Sequence, residues 1–264
     1  HKILSDRALP AREKAADALK HSLAGVKRKL RVRSQRPFFV ALHGVDGSGK
    51  TAHAEALVGA CRTCDLRARR AWSRLASSAL SAWLVGLARR LSGDSAQATR
   101  PRTTADGPRA RLAARRRQLR SPWLRAGFVW LSCLDLWLGY LRGVAWPLWR
   151  GEIVVADRYV LDAAAELGQV LGHPAPGRLA AVRLLRWLSP RPHMSYLLEV
   201  PADLAASRSA TAEAPDLLAE QAALRRALAG EWGIAVVDNS EPFAVVSERL
   251  AGEAPVGRGC RLLA

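Results

Sequence analysis

The stretch Phe38-Phe39-Val40-Ala41-Leu42-His43-Gly44-Val45-Asp46-Gly47-Ser48-Gly49-Lys50-Thr51 decides how the rest of the chain is read. Its first five residues form an unbroken apolar run, the pattern of a strand buried on both faces of a parallel sheet. A glycine-rich turn follows, and then an Ala- and Leu-rich run that predicts a helix to about Cys61. Gly44 to Thr51 satisfies G-x-x-x-x-G-K-[ST], and each part of that pattern has a physical reason. Gly44, Gly47 and Gly49 let backbone N–H groups, that of Ser48 among them, converge on phosphate oxygens without a glycine Cβ in the way. The helix N-terminus adds its dipole, Lys50 reaches the outer phosphates, and the Thr51 hydroxyl can ligate Mg²⁺.

Working outward, a weak strand signal at 66–72 and stronger ones at 153–156, 194–200 and 234–237 read as further strands, with helical patterns between them. Strands alternating with helices imply an α/β fold of three layers, a parallel sheet with helices on both faces. Upstream, residues 1–36 read as a basic helical extension that Pro37 ends. The main domain spans 37–252, and 253–264 form a C-terminal tail. Helix is expected from 77 to 91 and over the Trp-rich stretch 123–149. Between these two, 92–122 reads as an Arg-rich, mobile insertion with a short helix near 109–120. After Pro201 a lid-like stretch leads into a helix over 203–229.

A second chemical signal is Ile153-Val154-Val155-Ala156-Asp157-Arg158-Tyr159. A strand ending in an acid places that carboxylate at the sheet's carboxyl edge, where open α/β sheets bind ligands. Asp157 there holds Mg²⁺ directly or through water, or else caps the next helix. With the glycine-rich turn upstream, the metal role is the expectation, and Arg158 is expected to fork onto a phosphate. Trp72 and Arg74, just past the second strand, offer an aromatic face and a guanidinium to an acceptor, or are a core Trp and a surface Arg. Trp123, Trp130 and Trp137 recur every seven residues, so they share a helix face read as core or pocket wall. Asp135 on that helix orients an acceptor or pairs with an Arg. His43 reads as a satisfied structural histidine.

Together these segments resemble the thymidylate kinase-like branch of the nucleoside monophosphate kinases, within the P-loop NTPases. The matching pieces are Gly44 to Thr51, Asp157-Arg158-Tyr159, Tyr196-Leu197-Leu198-Glu199-Val200-Pro201, and Val236-Val237-Asp238-Asn239-Ser240 near the nucleotide base. The resemblance covers about residues 37–252 and implies ATP- and Mg²⁺-dependent phosphoryl transfer, most simply to a nucleoside monophosphate, with a homodimer left open. It would give Lys50 the phosphate charge, Thr51 and Asp157 the metal, and Arg208 the closing lid. Trp72, Arg74, Asp135, Arg158 and Tyr159 would hold the acceptor. Some family features differ here: Gly47 stands where some members carry an Arg, only Arg208 precedes Arg225 after Pro201, and Leu136 follows Asp135. The second strand ends Ala71-Trp72-Ser73-Arg74 instead of in an acid and a proline. Two other readings therefore remain. One is a kinase for a hydroxyl of a nucleoside, sugar or other metabolite, with Asp46 or Asp157 as base. The other is a non-catalytic nucleotide-binding module on a basic surface.

Composition sets the frame. The 264 residues are 49% hydrophobic and 24% charged, which excludes a wholly disordered chain. The net charge is +18, and Arg supplies most of it. Residues 1–36 hold 11 basic and three acidic side chains, and 62–125 hold 16 and three, so the remainder is slightly acidic. These segments are read as solvated faces rather than as contacts to nucleic acid or an anionic membrane. Cys61, Cys64, Cys133 and Cys260 lack the spacing of a zinc site and read as structural thiols of a cytoplasmic protein. Residues 126–149 are long and apolar enough to tempt a membrane assignment. Asp135, Arg142, Gly139, Gly143 and Pro147 argue for a core or half-buried helix instead.

Overall fold

A computed structural model describes residues 36–73, 108–209 and 215–253. The expected basic helix before Pro37, the helix at 77–91, Arg74, most of the Arg-rich insertion and nearly all of the C-terminal tail lie outside them.

Five strands form one sheet: β1 (Phe38–His43), β2 (Ala68–Trp72), β3 (Ile153–Asp157), β4 (Met194–Glu199) and β5 (Ala235–Asp238). All pairings are parallel, in the order β2-β3-β1-β4-β5. The helices are α1 (Lys50–Thr63), α2 (Pro108–Gln118), α3 (Pro122–Tyr140), α4 (Trp146–Trp149), α5 (Val160–Leu171) and α6 (Ala180–Leu188). They continue with α7 (Ala202–Arg208), α8 (Pro215–Trp232) and α9 (Phe243–Glu253).

The period of two along each strand sorts side chains into two cores. Val40, Leu42, Ile153, Val155, Tyr196 and Leu198 point to one face and pack with α1 and α9. Phe39, Ala41, Val154, Ala156 and Leu197 point to the other, where α3, α5, α6 and α8 cover them. The fold is thus α/β in three layers. Strand β1 lies at the centre, and the chain crosses it on the way from β3 to β4. Strand order therefore reverses beside β1, which opens a crevice at the carboxyl ends of β1 and β3.

Three expectations need correction. The Trp-rich stretch is not one regular helix: a π-helical turn, Leu141–Ala145, separates α3 from α4, and Trp146 N–H bonds back five residues to Leu141. Pro147 supplies the cause, since it offers no N–H and crowds the carbonyl four residues before it. The face of α3 that meets the sheet carries Val129, Cys133, Leu136 and Tyr140. Trp123 and Trp130 lie on its flank, 86% and 48% exposed, so they are not core. Finally, the expected helix over 203–229 is two helices, α7 and α8, and Pro215 opens the second.

The Arg-rich stretch is not solvated throughout. Arg116 on α2 donates to the Gln169 carbonyl at 3.0 and 2.7 Å, and Arg125 donates to Leu171 O at 3.1 Å. Both serve last-turn carbonyls of α5, at the negative end of the helix dipole, where Gln169 O also accepts from Gly172 N at 3.2 Å.

Candidate functional site

The turn after β1 supplies the first wall of the site. Gly47 and Gly49 have φ of 83° and 85°, in the left-handed region that glycine tolerates. Space enforces the same choice. A Cβ on Gly47 would lie 2.1 Å from the Ala205 carbonyl of α7, and one on Gly49 would lie 2.6 Å from Asn239 Nδ2. The loop is therefore clamped between α7 and the segment after β5. Asn239 completes the clamp by donating to Ser48 O at 2.7 Å, while its Oδ1 meets His53 Nε2 at 2.8 Å. His53 in turn reaches Ser247 Oγ at 2.9 Å and stacks on Phe243. Burial holds the His53 pKa below its usual value, the Asn239 contact opposing, so the ring is neutral near pH 7.

Helix α1 starts at Lys50, directly after the loop, so its N-terminal N–H groups and the loop amides face one hollow. The buried Lys50 ammonium folds back, donating to Val45 O and, at 3.3 Å, to Ser48 Oγ. Burial, and then the Arg158 charge, push its pKa down to about 8. Thr51 Oγ1 donates to Asp157 Oδ2 at 2.6 Å. Arg70 Nη1 stands 3.4 Å from the same oxygen.

Arg158 follows β3 with a positive φ of 77°, which is uncommon for a side chain with a Cβ. Its amide donates to Leu42 O at 3.0 Å and Ser73 Oγ donates to its carbonyl, which fixes the strained backbone. The guanidinium bonds Asp46 on one side and Glu166 Oε1, at 2.9 Å, on the other. Burial alone would lower its pKa, but the carboxylates of Asp162, Asp46 and Glu166 outweigh that and raise it.

A cleft of about 400 Å³ gathers Asp46, Gly47, Gly49, Lys50, Thr51 and Asp157. Ala52, Trp72, Arg158 and Arg208 line it as well. Gly44 and Ser48 belong to the same loop but do not line the cleft. Trp72 closes β2 and is 54% exposed there. Arg208 ends α7 and makes no ion pair among the described residues.

Two expected site residues lie elsewhere. Tyr159 is buried, donates to Pro190 O at 2.8 Å, and packs against Phe39 and Tyr140. Residue 159 begins α5 and turns its ring into the core, away from the cleft. Asp135 is half-buried on α3 and lines neither this cleft nor the second cavity described below.

The sequence reading missed the buried group behind the loop. Asp162 Oδ2 meets His43 Nδ1 at 2.8 Å and Tyr159 N at 3.4 Å. Its Oδ1 accepts from Arg225 Nε at 3.1 Å and Gly44 N at 3.3 Å. Burial would raise the Asp162 pKa, but the His43 hydrogen bond and the charges of His43, Arg225 and Lys50 hold it far below the usual carboxylate range. His43 is a satisfied histidine, because its Nε2 also meets Ser195 Oγ at 3.1 Å. The available signal was Asp162 three residues after Tyr159, the spacing of a capping acid. Nothing in the sequence pointed to Arg225, one of several arginines in an Ala- and Leu-rich helix.

The arrangement offers an anion a nest of backbone N–H groups, one lysine and free cationic reach from Arg208. A hydroxyl and a carboxylate in contact form hard oxygen donors for a divalent cation. No protein-family model matches the sequence, and no curated protein matches it either.

Proposed function

We propose that the protein is an ATP-dependent phosphotransferase of the P-loop type, related to the thymidylate kinase-like enzymes, acting on a small acceptor. The single observation that carries this reading is the Thr51–Asp157 contact of 2.6 Å at the start of α1, directly beside Lys50 and the glycine-rich turn. One carboxylate and one hydroxyl are few ligands for a metal held by protein alone. They suit Mg²⁺, which keeps waters and shares substrate phosphates. The metal would neutralise charge on the phosphates, and Thr51 and Asp157 are the residues that would hold it.

The chain's own groups have separable tasks. Loop amides and Lys50 bind and orient the polyphosphate. Lys50 leaves Val45 O for it, exchanging a neutral acceptor for an anionic one. Arg208, on the short α7 that also clamps Gly47, stands over the cleft to meet charge on the transferred group. Arg158 faces the acceptor side, and Trp72, whose strand register pairs it with Asp157, lines the same cleft as a flat wall. Its ties to Asp46 and Glu166 hold the guanidinium in place before any acceptor arrives.

The test is Lys50→Ala, assayed by ADP formation against pooled nucleoside monophosphates, nucleosides and sugars. Phosphoryl transfer should fall by about a thousandfold or more, with the melting temperature of the apo protein not lowered. Lys50 is a buried cation with no carboxylate within ion-pair distance among the described residues, so its loss is expected to remove function rather than stability. Turnover at the wild-type rate would sink the kinase reading.

A further inference from the structure

A second cavity, of about 810 Å³, lies over the β4 side of the sheet, and among the described residues none lines both it and the cleft. Its walls come from α6, the loop from Pro190 to His193, the start of β4, and the junction of α8 with β5. Among the described residues, three arginines line it, Arg183, Arg186 and Arg191, and no carboxylate does. Arg183 and Arg191 take part in no ion pair among the described residues. Arg186 lies 4.6 Å from the centre of the Trp232 ring, and Trp187 beside it is 71% exposed.

His43 and Ser195 make the floor polar. His43 Nδ1 pairs with Asp162 Oδ2 at 2.8 Å, and its Nε2 lies 3.1 Å from Ser195 Oγ, which places both polar groups at the cavity floor. The volume falls within the roughly 300–1,000 Å³ typical of small-molecule sites. The chain's own basic N-terminal segment, with 11 basic and three acidic residues, is the wrong charge to fill it.

We propose that this cavity binds an organic anion carrying a flat apolar ring. Arg183 and Arg191 would take the anionic group, while Trp187 and the Arg186–Trp232 stack would take the ring. The proposal stands apart from the phosphotransferase reading, because the cavities share none of the described residues.

The experiment titrates the full chain with two fluorescent probes. One is 1-anilinonaphthalene-8-sulfonate, and the other is its uncharged relative N-phenyl-1-naphthylamine. The sulfonate should bind saturably at one site, at least about tenfold more tightly than the neutral probe. The double variant Arg183→Ala/Arg191→Ala should erase that preference, leaving neutral-probe affinity and melting temperature unchanged. Trp187→Ala should weaken both probes. Excess ATP should displace neither, and the Lys50→Ala protein should bind the sulfonate as the wild type does, so failure of the cleft reading would be seen separately. Equal affinity for the two probes, indifference to the arginine pair, or displacement by ATP would each overturn the proposal.

Discussion

Asp157 and Asp162 sit five residues apart at the same end of the sheet, and each is 1% exposed. Their surroundings differ in completeness. Both oxygens of Asp162 are taken by protein donors from four places: β1, the loop, the start of α5 and α8. Asp157 has one close donor, the Thr51 hydroxyl, with Arg70 further off, and it lines the cleft. Burial alone therefore does not separate a structural acid from a functional one. A closed set of partners marks the first, and an open position toward a cavity marks the second.

The largest effect that can break this comparison is on stability. Asp162→Ala strands the buried Arg225 and His43 without their acid, and loss of one partner of a buried pair costs about 3–5 kcal/mol. Chemical denaturation should register that loss. Asp157→Asn should stay within about 1 kcal/mol of wild type, because the amide can still accept from Thr51, yet it should abolish Mg²⁺-dependent turnover. Similar stability losses for both variants would erase the distinction. The sign with pH follows from the depressed Asp162 pKa. Its contribution is full above the unfolded value of about 3.9 and declines as pH falls toward the folded value.

The same contrast explains what was legible in the sequence. The glycine-rich turn, the strand-end Asp157 and the alternation of strands and helices are local patterns, and each is set by residues adjacent in the chain. The parallel sheet with helices on both faces follows from them, whereas the strand order does not. The Asp162–Arg225 and Asn239–Ser48 contacts join positions 63 and 191 residues apart, and no local period records such pairings. Tyr159 shows the converse: a motif neighbour of Asp157 and Arg158 whose side chain the first turn of α5 carries into the core. The exposed Trp123 and Trp130 were misread because a seven-residue repeat fixes a shared face without saying which face meets the sheet.

A smaller effect concerns Arg158, which belongs to both sides of the comparison: it is buried with two carboxylates, and it still lines the cleft. Arg158→Ala should weaken an acceptor bearing a phosphate by roughly tenfold to several hundredfold, the range of a charge-assisted contact of about 1.5–3 kcal/mol. ATP affinity without acceptor should hardly move. A hydroxyl acceptor would instead show its larger loss with Asp46→Asn or Asp157→Asn, together with a pH–rate limb from the missing base. Equal weakening of ATP and acceptor by Arg158→Ala would misplace the acceptor side of the cleft.

The smallest expected signal is a fraction of a proton, and it reads the cleft directly. Burial, then the Arg158 charge, bring the Lys50 pKa down to about 8, against about 10.4 for an unfolded lysine. Between those values the unfolded chain binds more protons, so the Lys50 contribution makes apo stability rise with pH across that window. Below pH 8 the cost of burying the ammonium is present in full. A polyphosphate beside Lys50 favours the charged form and should raise its pKa again. At pH 8 binding should then take up as much as about half a proton, whereas at pH 6.5 Lys50 is already charged and its uptake should be near zero. Calorimetric titration with ATP in buffers of different ionisation enthalpy measures this difference. Equal uptake at the two pH values would mean that the bound phosphates do not meet Lys50, and the open side of the comparison would lose its ligand.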